Sequence, residues 1–335
     1  MSAPPNSVSA PPAAPAPAPR SFKLAWARWE YLLTIAIGAV FTANAMRSPY
    51  FLDPWTLSDA TFNFTEKALV ALPMALLIIA KEIDLSVAAI IALCSVAMGL
   101  AAEAGQPIPV LIVIGLCTGL VAGALNGALI TLFRVPSIVA TIGTMSLFRG
   151  VAYGVLGDRV LKNYPPEFAY FGQGYIAGPI SFELVLFMVG VLGCAALLHY
   201  TVVGRRIYAI GANPVAAEFS GVRVDRYRFL LFVATGLASG IAAILITSRL
   251  ASTRPSIAQG WELEIISMVI LGGVSVAGGR GTIAGVALAA VLLGLVTFGL
   301  GLANVPGIVM SIFVGALLIL VVAIPAIARK FAARR

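Results

Sequence analysis

Ten runs of apolar residues, at 31–46, 65–80, 86–102, 108–133, 138–155, 180–200, 229–248, 263–277, 282–302 and 306–326, follow one another with short polar connections. In a bilayer every backbone N–H and C=O must find its partner inside the protein, and about 20 apolar residues is the length a helix needs to cross. The pattern predicts an all-α, polytopic membrane protein with about ten transmembrane helices. Composition agrees: 60% of the residues are hydrophobic and 11% charged, against roughly 25% charged in a soluble domain. The second and third runs also read as a broken helix meeting at Lys81-Glu82-Ile83-Asp84.

Residues 1–29 read as a disordered cytoplasmic tail, because 1–20 are Pro, Ala and Ser with a single Arg20 and lack the basic and apolar regions of a secretory signal. Residues 30–328 form the membrane domain, with a cytoplasmic loop at 201–228, and 329–335 form a basic cytoplasmic end. The net charge of +8 points to orientation and not to nucleic acid. With both termini inside, fifteen basic residues, among them Arg205, Arg206, Arg223, Arg226 and Arg228, fall on the cytoplasmic side, against seven outside, including Lys67, Arg149, Arg249 and Arg254. The aromatic stretch Tyr164 to Tyr175 is then expected along the external membrane surface. Cys94, Cys117 and Cys194 lie in apolar runs without metal-ligand spacing and read as packing residues, and His199 reads as an interfacial side chain.

The loop at 204–228 has the grammar of a docking element. Asn213 is an N-cap with Pro214 at the first helical position; Ala216, Ala217, Glu218 and Phe219 form a two-turn helix; Gly221, after Ser220, is its stop. In the membrane domain Asp84, beside Ser86, either caps the next helix or takes part in gating. Gly115, Gly119, Gly123 and Gly127 recur every four residues, the spacing that lets helix backbones approach closely in lipid. Asn126, within that run, needs a partner, in another helix or in a polar path. Thr141 and Thr144 share a helix face and either bond back to the preceding turn or offer hydroxyls to a cargo. Glu262 and Glu264 begin a helix on the external side, where they complement its dipole or form an anionic rim. The glycines at 278–281 are not a phosphate loop, since G-x-x-x-x-G-K-[ST] is absent from the chain.

All fourteen acids fall at run ends or in loops, so a proton-coupled transporter with an acid at the midplane is not expected. Clustered His, Cys or carboxylates of a membrane enzyme are absent as well. A conduit driven by another polypeptide through its cytoplasmic loop remains.

Four segments carry a family resemblance: the loop at 204–225; Ile83-Asp84-Leu85-Ser86-Val87, similar to a G-G-I-D-L-S-V-G signature; Arg134-Val135-Pro136-Ser137 with Ala140 to Met145; and Glu262-Leu263 through Leu271-Gly272-Gly273 to Gly278-Gly279-Arg280-Gly281. They resemble the permeases of sugar-type ABC importers, the ribose, arabinose, rhamnose and autoinducer group, over about Trp55 to Ile327, with the rhamnose type most similar. Lys81 and Glu82 stand where the family has two glycines, and Ala88 where it has a third. The resemblance implies a bacterial inner-membrane transport subunit rather than an enzyme, binding no cofactor itself. Its implied partners are an ATPase subunit that uses ATP and Mg and seats the 213–221 helix in a groove, a second permease subunit, a periplasmic sugar-binding protein and membrane lipid. Asn126, Thr141 and Thr144 become candidate contacts for a neutral sugar, and Glu262 and Glu264 a candidate rim for the binding protein.

Overall fold

The computed structural model describes residues 22–307 with 309, 310, 312, 315 and 316. The basic end at 329–335, most of the tenth run and the tail up to residue 21 lie outside the described residues. The elements are α1 Phe22–Arg47, α2 Pro54–Phe62, α3 Thr65–Ile79, α4 Val87–Glu103, α5 Ile108–Thr131, α6 Ser137–Leu156, α7 Tyr170–Gln173, β1 Tyr175–Ala177, β2 Ile180–Ser181, α8 Phe182–Tyr200, α9 Val202–Ala212, α10 Pro214–Phe219, α11 Val224–Leu250, α12 Trp261–Leu271 and α13 Ile283–Leu302. A 3₁₀ turn at Pro166–Ala169 precedes α7. The first helix starts at Phe22, inside the segment read as tail, because the proline-rich repeat has ended and helix formers follow.

Six of these helices, α1, α5, α6, α8, α11 and α13, are long and apolar enough to cross a membrane, and a seventh crossing results if α2 and α3, bent by 50°, count as one. The expected count of about ten is therefore not reached among the described residues, which leave out most of the tenth run. The runs at 65–80, 86–102 and 263–277 become helices of 15, 17 and 11 residues, about 16–26 Å long against a hydrocarbon core of ~30 Å. Polar and glycine breaks cut them short, at Lys81 to Ser86 and at Gly272-Gly273. Among the described residues a small antiparallel β1–β2 ribbon and an isolated bridge between Leu161 and Thr253 depart from the all-helical expectation.

The core is built around α11. Its glycines Gly236 and Gly240 meet the α5 stripe so closely that a Cβ added at Gly119 would lie 2.4 Å from the Gly236 carbonyl oxygen, and one at Gly123 2.4 Å from that of Phe232. Dispersion between two smooth backbones replaces the hydrophobic drive that lipid does not supply. Gly127 lies against Phe229 and Gly115 against the Met98 sulfur, so all four stripe glycines face a neighbour.

Between α3 and α4 the chain turns sharply at Lys81, whose φ is +68°. The turn is thus made by a lysine in the left-handed region. Lys81→Gly is expected to raise stability by roughly 0.5–1 kcal/mol by relieving this conformation, read as a higher unfolding midpoint of the purified protein; an unchanged or lower midpoint refutes the strain.

The two ends of α11 organise opposite ends of the molecule. At its start Arg228 pairs with Glu82 at 2.8 Å, near α9 and α10. At its finish Arg249 holds Glu66 through two bonds of 2.9 and 2.8 Å. The segment Tyr164 to Tyr175 caps this second end: Phe168 is fully buried, Tyr164 stacks on it at 5.2 Å, and the Gly172 N–H donates to the Ser248 hydroxyl at 2.8 Å. Phe168 is covered by protein, whereas Tyr170 stays 47% exposed. At its end the Tyr175 phenol donates to Asp59 at 2.7 Å, a bond that pushes its pKa up to about 12.

Candidate functional site

The loop at 201–228 is built from two helices. Sequence reasoning found α10 and missed α9, an amphipathic helix whose apolar side (Ile207, Ile210) is buried and whose Arg205 and Arg206 are exposed. Alternation of apolar and charged residues at helical spacing was the available signal. The helix is seated by backbone contact: a Cβ on Gly211 would overlap the Ile79 carbonyl oxygen at 1.8 Å, the Gly279 N–H donates to that same oxygen at 2.8 Å, and the Tyr208 hydroxyl donates to the Gly281 carbonyl at 2.6 Å. The glycines at 278–281 thus form a floor for the loop.

On this floor α10 is closed at both ends. Asn213 Oδ1 accepts from the Ala216 N–H at 3.1 Å and Pro214 occupies the first turn. At the other end Gly221 has φ +81°, its N–H donates to the Glu218 carbonyl at 2.9 Å, and the Val222 N–H donates to that of Ala217 at 3.1 Å. These two bonds are the Schellman closure, and only the left-handed Gly221 permits them without strain. Ser220 bonds back to the Ala216 carbonyl at 2.8 Å. Ala217 turns inward, whereas Val215, Glu218 and Phe219 face out, Phe219 with 90% of its surface exposed. A rigid two-turn helix presenting a bare aromatic ring is suited to enter a pocket on another protein.

A second polar centre lies deep in the bundle. Asp84 is fully buried; its carboxylate accepts from the Ser86 N–H at 2.9 Å and the Ser86 hydroxyl at 2.6 Å, and Thr235 Oγ1 stands 3.2 Å away. Asn126 donates to the Ser86 oxygen at 2.7 Å, while its own Oδ1 has no partner. Thr235 sits ~16 Å along α11 from its start, so Asp84, although it lies in the connection between α3 and α4 as expected, is enclosed by the bundle. The break after α3 carries the chain inward, and the donors of α5 and α11 offset the carboxylate's desolvation there. Asp84 and Ser86 therefore join three elements at one point and do more than cap α4, whose N-cap Ser86 makes no side-chain capping bond.

Other candidates face inward or are already paired. Thr141 is fully buried and Thr144 nearly so; their hydroxyls donate to the Ser137 and Thr141 carbonyls at 2.8 and 3.3 Å. The open face of α6 carries Ile142, Gly143, Ser146 and Gly150 instead. Glu264 is ion-paired with Lys67, which also lies 4.9 Å from the centre of the Trp261 ring, and Glu262 is within Coulomb reach of Arg149. Of these two acids, Glu264 is the one with an ion partner. Sequence reasoning also missed Glu183, buried near the Arg249–Glu66 pair with both oxygens unpartnered; nothing in the local sequence marks it.

Comparison with known proteins completes the picture. Residues 57–322 match the family described as "Branched-chain amino acid transport system / permease component". The autoinducer 2 import system permease protein LsrD of Salmonella typhi is 34% identical over 305 residues, 89% of this chain and 92% of the relative. The same-named protein of Escherichia coli strain SMS-3-5 is 34% identical over 300 residues, 88% and 91% of the two chains. No solved structure matches. Permeases of this kind are transport subunits, not enzymes, and work in the membrane with an ATPase and a solute-binding protein. With a matching model over most of its length and relatives aligned almost end to end, the chain belongs to the permease family of ABC importers, in its sugar and autoinducer group.

Proposed function

We propose that this chain forms the translocation path of an ATP-driven importer for a small neutral polyhydroxy solute, rhamnose by the motif resemblance. The observation that carries the coupling is α10, closed at both ends and presenting Phe219. An ATPase subunit that uses ATP and Mg seats this helix; its closure moves α10, and the seated α9 passes the motion to the floor at Ile79 and Gly279 and so to α3. Two permease subunits alternate access around a central path, and a periplasmic binding protein delivers the solute. The chain binds no cofactor itself, and both termini face the cytoplasm. The identity of 34% to the autoinducer 2 permeases supports a second cargo, autoinducer 2.

Uptake of labelled rhamnose and of autoinducer 2 by cells expressing the complete system separates the two cargoes. It is expected to follow cellular ATP and to survive a protonophore. Loss of uptake at unchanged ATP refutes the coupling. Single cysteines at Ser220 and Gln173 are expected to label from opposite sides of the membrane; labelling of both from outside refutes the orientation.

A further inference from the structure

At the start of α11, behind α10, a cavity of about 530 Å³ opens between α8, α9 and α11. Its apolar lining runs from the buried Leu76 through Leu197 to the half-exposed Leu230, and its rim carries Arg206, Arg223 and Arg226, all exposed. No carboxylate lines it among the described residues. The nearby acid Asp225 lies 4.0 Å from Arg228. Arg206 donates to the Tyr227 hydroxyl at 2.7 Å, which sets its guanidinium across the mouth. Three cations above an apolar cleft ask for a ligand with a negative head and a hydrocarbon tail.

We propose that this groove binds one anionic phospholipid, its phosphate between Arg206, Arg223 and Arg226 and an acyl chain on Leu197 and Leu230. Depth favours lipid over a docked protein. Leu230 lies ~9 Å along α11 from Val224, below the helix ends, and α8 continues from Leu197 into the exposed Leu192 and Val189, a surface fit for hydrocarbon. The α9 helix, apolar on its buried side and basic on the other, has the pattern of an interfacial helix. The site rests on the chain's embedding in the membrane and is independent of its cargo, so it can fail while the importer reading stands.

The test is lipid retention by the full-length protein, purified in mild detergent and examined by native mass spectrometry and thermal unfolding. Phosphatidylglycerol, but not phosphatidylcholine of the same chains, is expected to remain bound and to raise the unfolding temperature. R223Q/R226Q should require on the order of thirtyfold more phosphatidylglycerol, about fivefold for each arginine near a membrane surface. Leu230→Trp, which obstructs the open apolar side of the groove and leaves the arginines, should also lose the lipid while keeping its unfolding temperature in detergent alone, since Leu230 is half-exposed. Equal retention of the two lipids overturns the proposal, as does full protection by water-soluble glycerophosphoglycerol, which makes the site one for free phosphate. If R223Q/R226Q does not fold, Leu230→Trp decides: phosphatidylglycerol retained by that folded variant overturns the proposal. A groove shielded only by added ATPase subunit, with no lipid preference, overturns it in favour of a protein contact.

Discussion

Gly123→Leu should prevent the membrane domain from reaching its native packing. A Cβ at this position would stand 2.4 Å from the Phe232 carbonyl oxygen and 3.0 Å from the Gly236 Cα, all backbone, so no rotamer change makes room. The helices α5 and α11 would have to separate, and Asn126 and Thr235, which they bring to the Asp84 centre, would separate with them. Overpacking costs roughly 1–3 kcal/mol, and each buried polar group left unpaired adds about 1–3 kcal/mol more. That sum is a large part of the stability of an ordinary domain. The expected result is loss of monodisperse protein on extraction. Gly143→Ala, on the open face of α6 with nothing within 4 Å, is the control. It should keep or raise the unfolding midpoint, by up to about 1 kcal/mol of helix propensity. Equal midpoints for Gly123→Leu and the unaltered protein would show that α5 and α11 do not pack as described.

Phe219→Ala should leave the fold intact and abolish transport. With 90% of its surface exposed the ring holds nothing inside its own subunit, so the unfolding midpoint should not move. In a complex a buried aromatic anchor of this kind carries about 2 kcal/mol or more, which is ~30-fold in affinity for the ATPase. Gly221→Val reaches the same surface from the backbone. A β-branched residue at φ +81° costs roughly 1–2 kcal/mol and opens the bonds to Ala217 and Glu218. Both variants should insert at normal abundance, copurify poorly with the ATPase and lose ATP-driven uptake. Near-normal uptake by both at equal membrane abundance would make the loop a connector and remove the coupling reading.

What the chain's pattern made legible is local. Asn213, Pro214 and Gly221 act within four residues of themselves, so the cap, first turn and stop of α10 could be placed without knowing what lies near them. The glycines of α5 recur at the helical period, and a period names a face, though not its partner; that Gly236 and Gly240 fill it is a fact of α11's position. Thr141 and Thr144 mark the limit of the same logic. Their shared face was plain, but whether it looked inward or into a path depended on which side of α6 the rest of the bundle covers.

Hydropathy, helix length and cap chemistry are properties of neighbours in the chain, and they determined that this is a helical membrane protein with a capped helix in its charged loop. Depth and charge compensation are set between elements far apart in sequence, and only the tertiary structure decided them. Asp84 is a connector residue by sequence and an interior one by structure, because a short α3 and the left-handed turn at Lys81 carry it to donors 42 and 151 residues away. Arg249 meets Glu66 across 183 residues for the same reason: a charge brought out of water is stable only where the fold supplies its partner, and no local pattern records which partner that is.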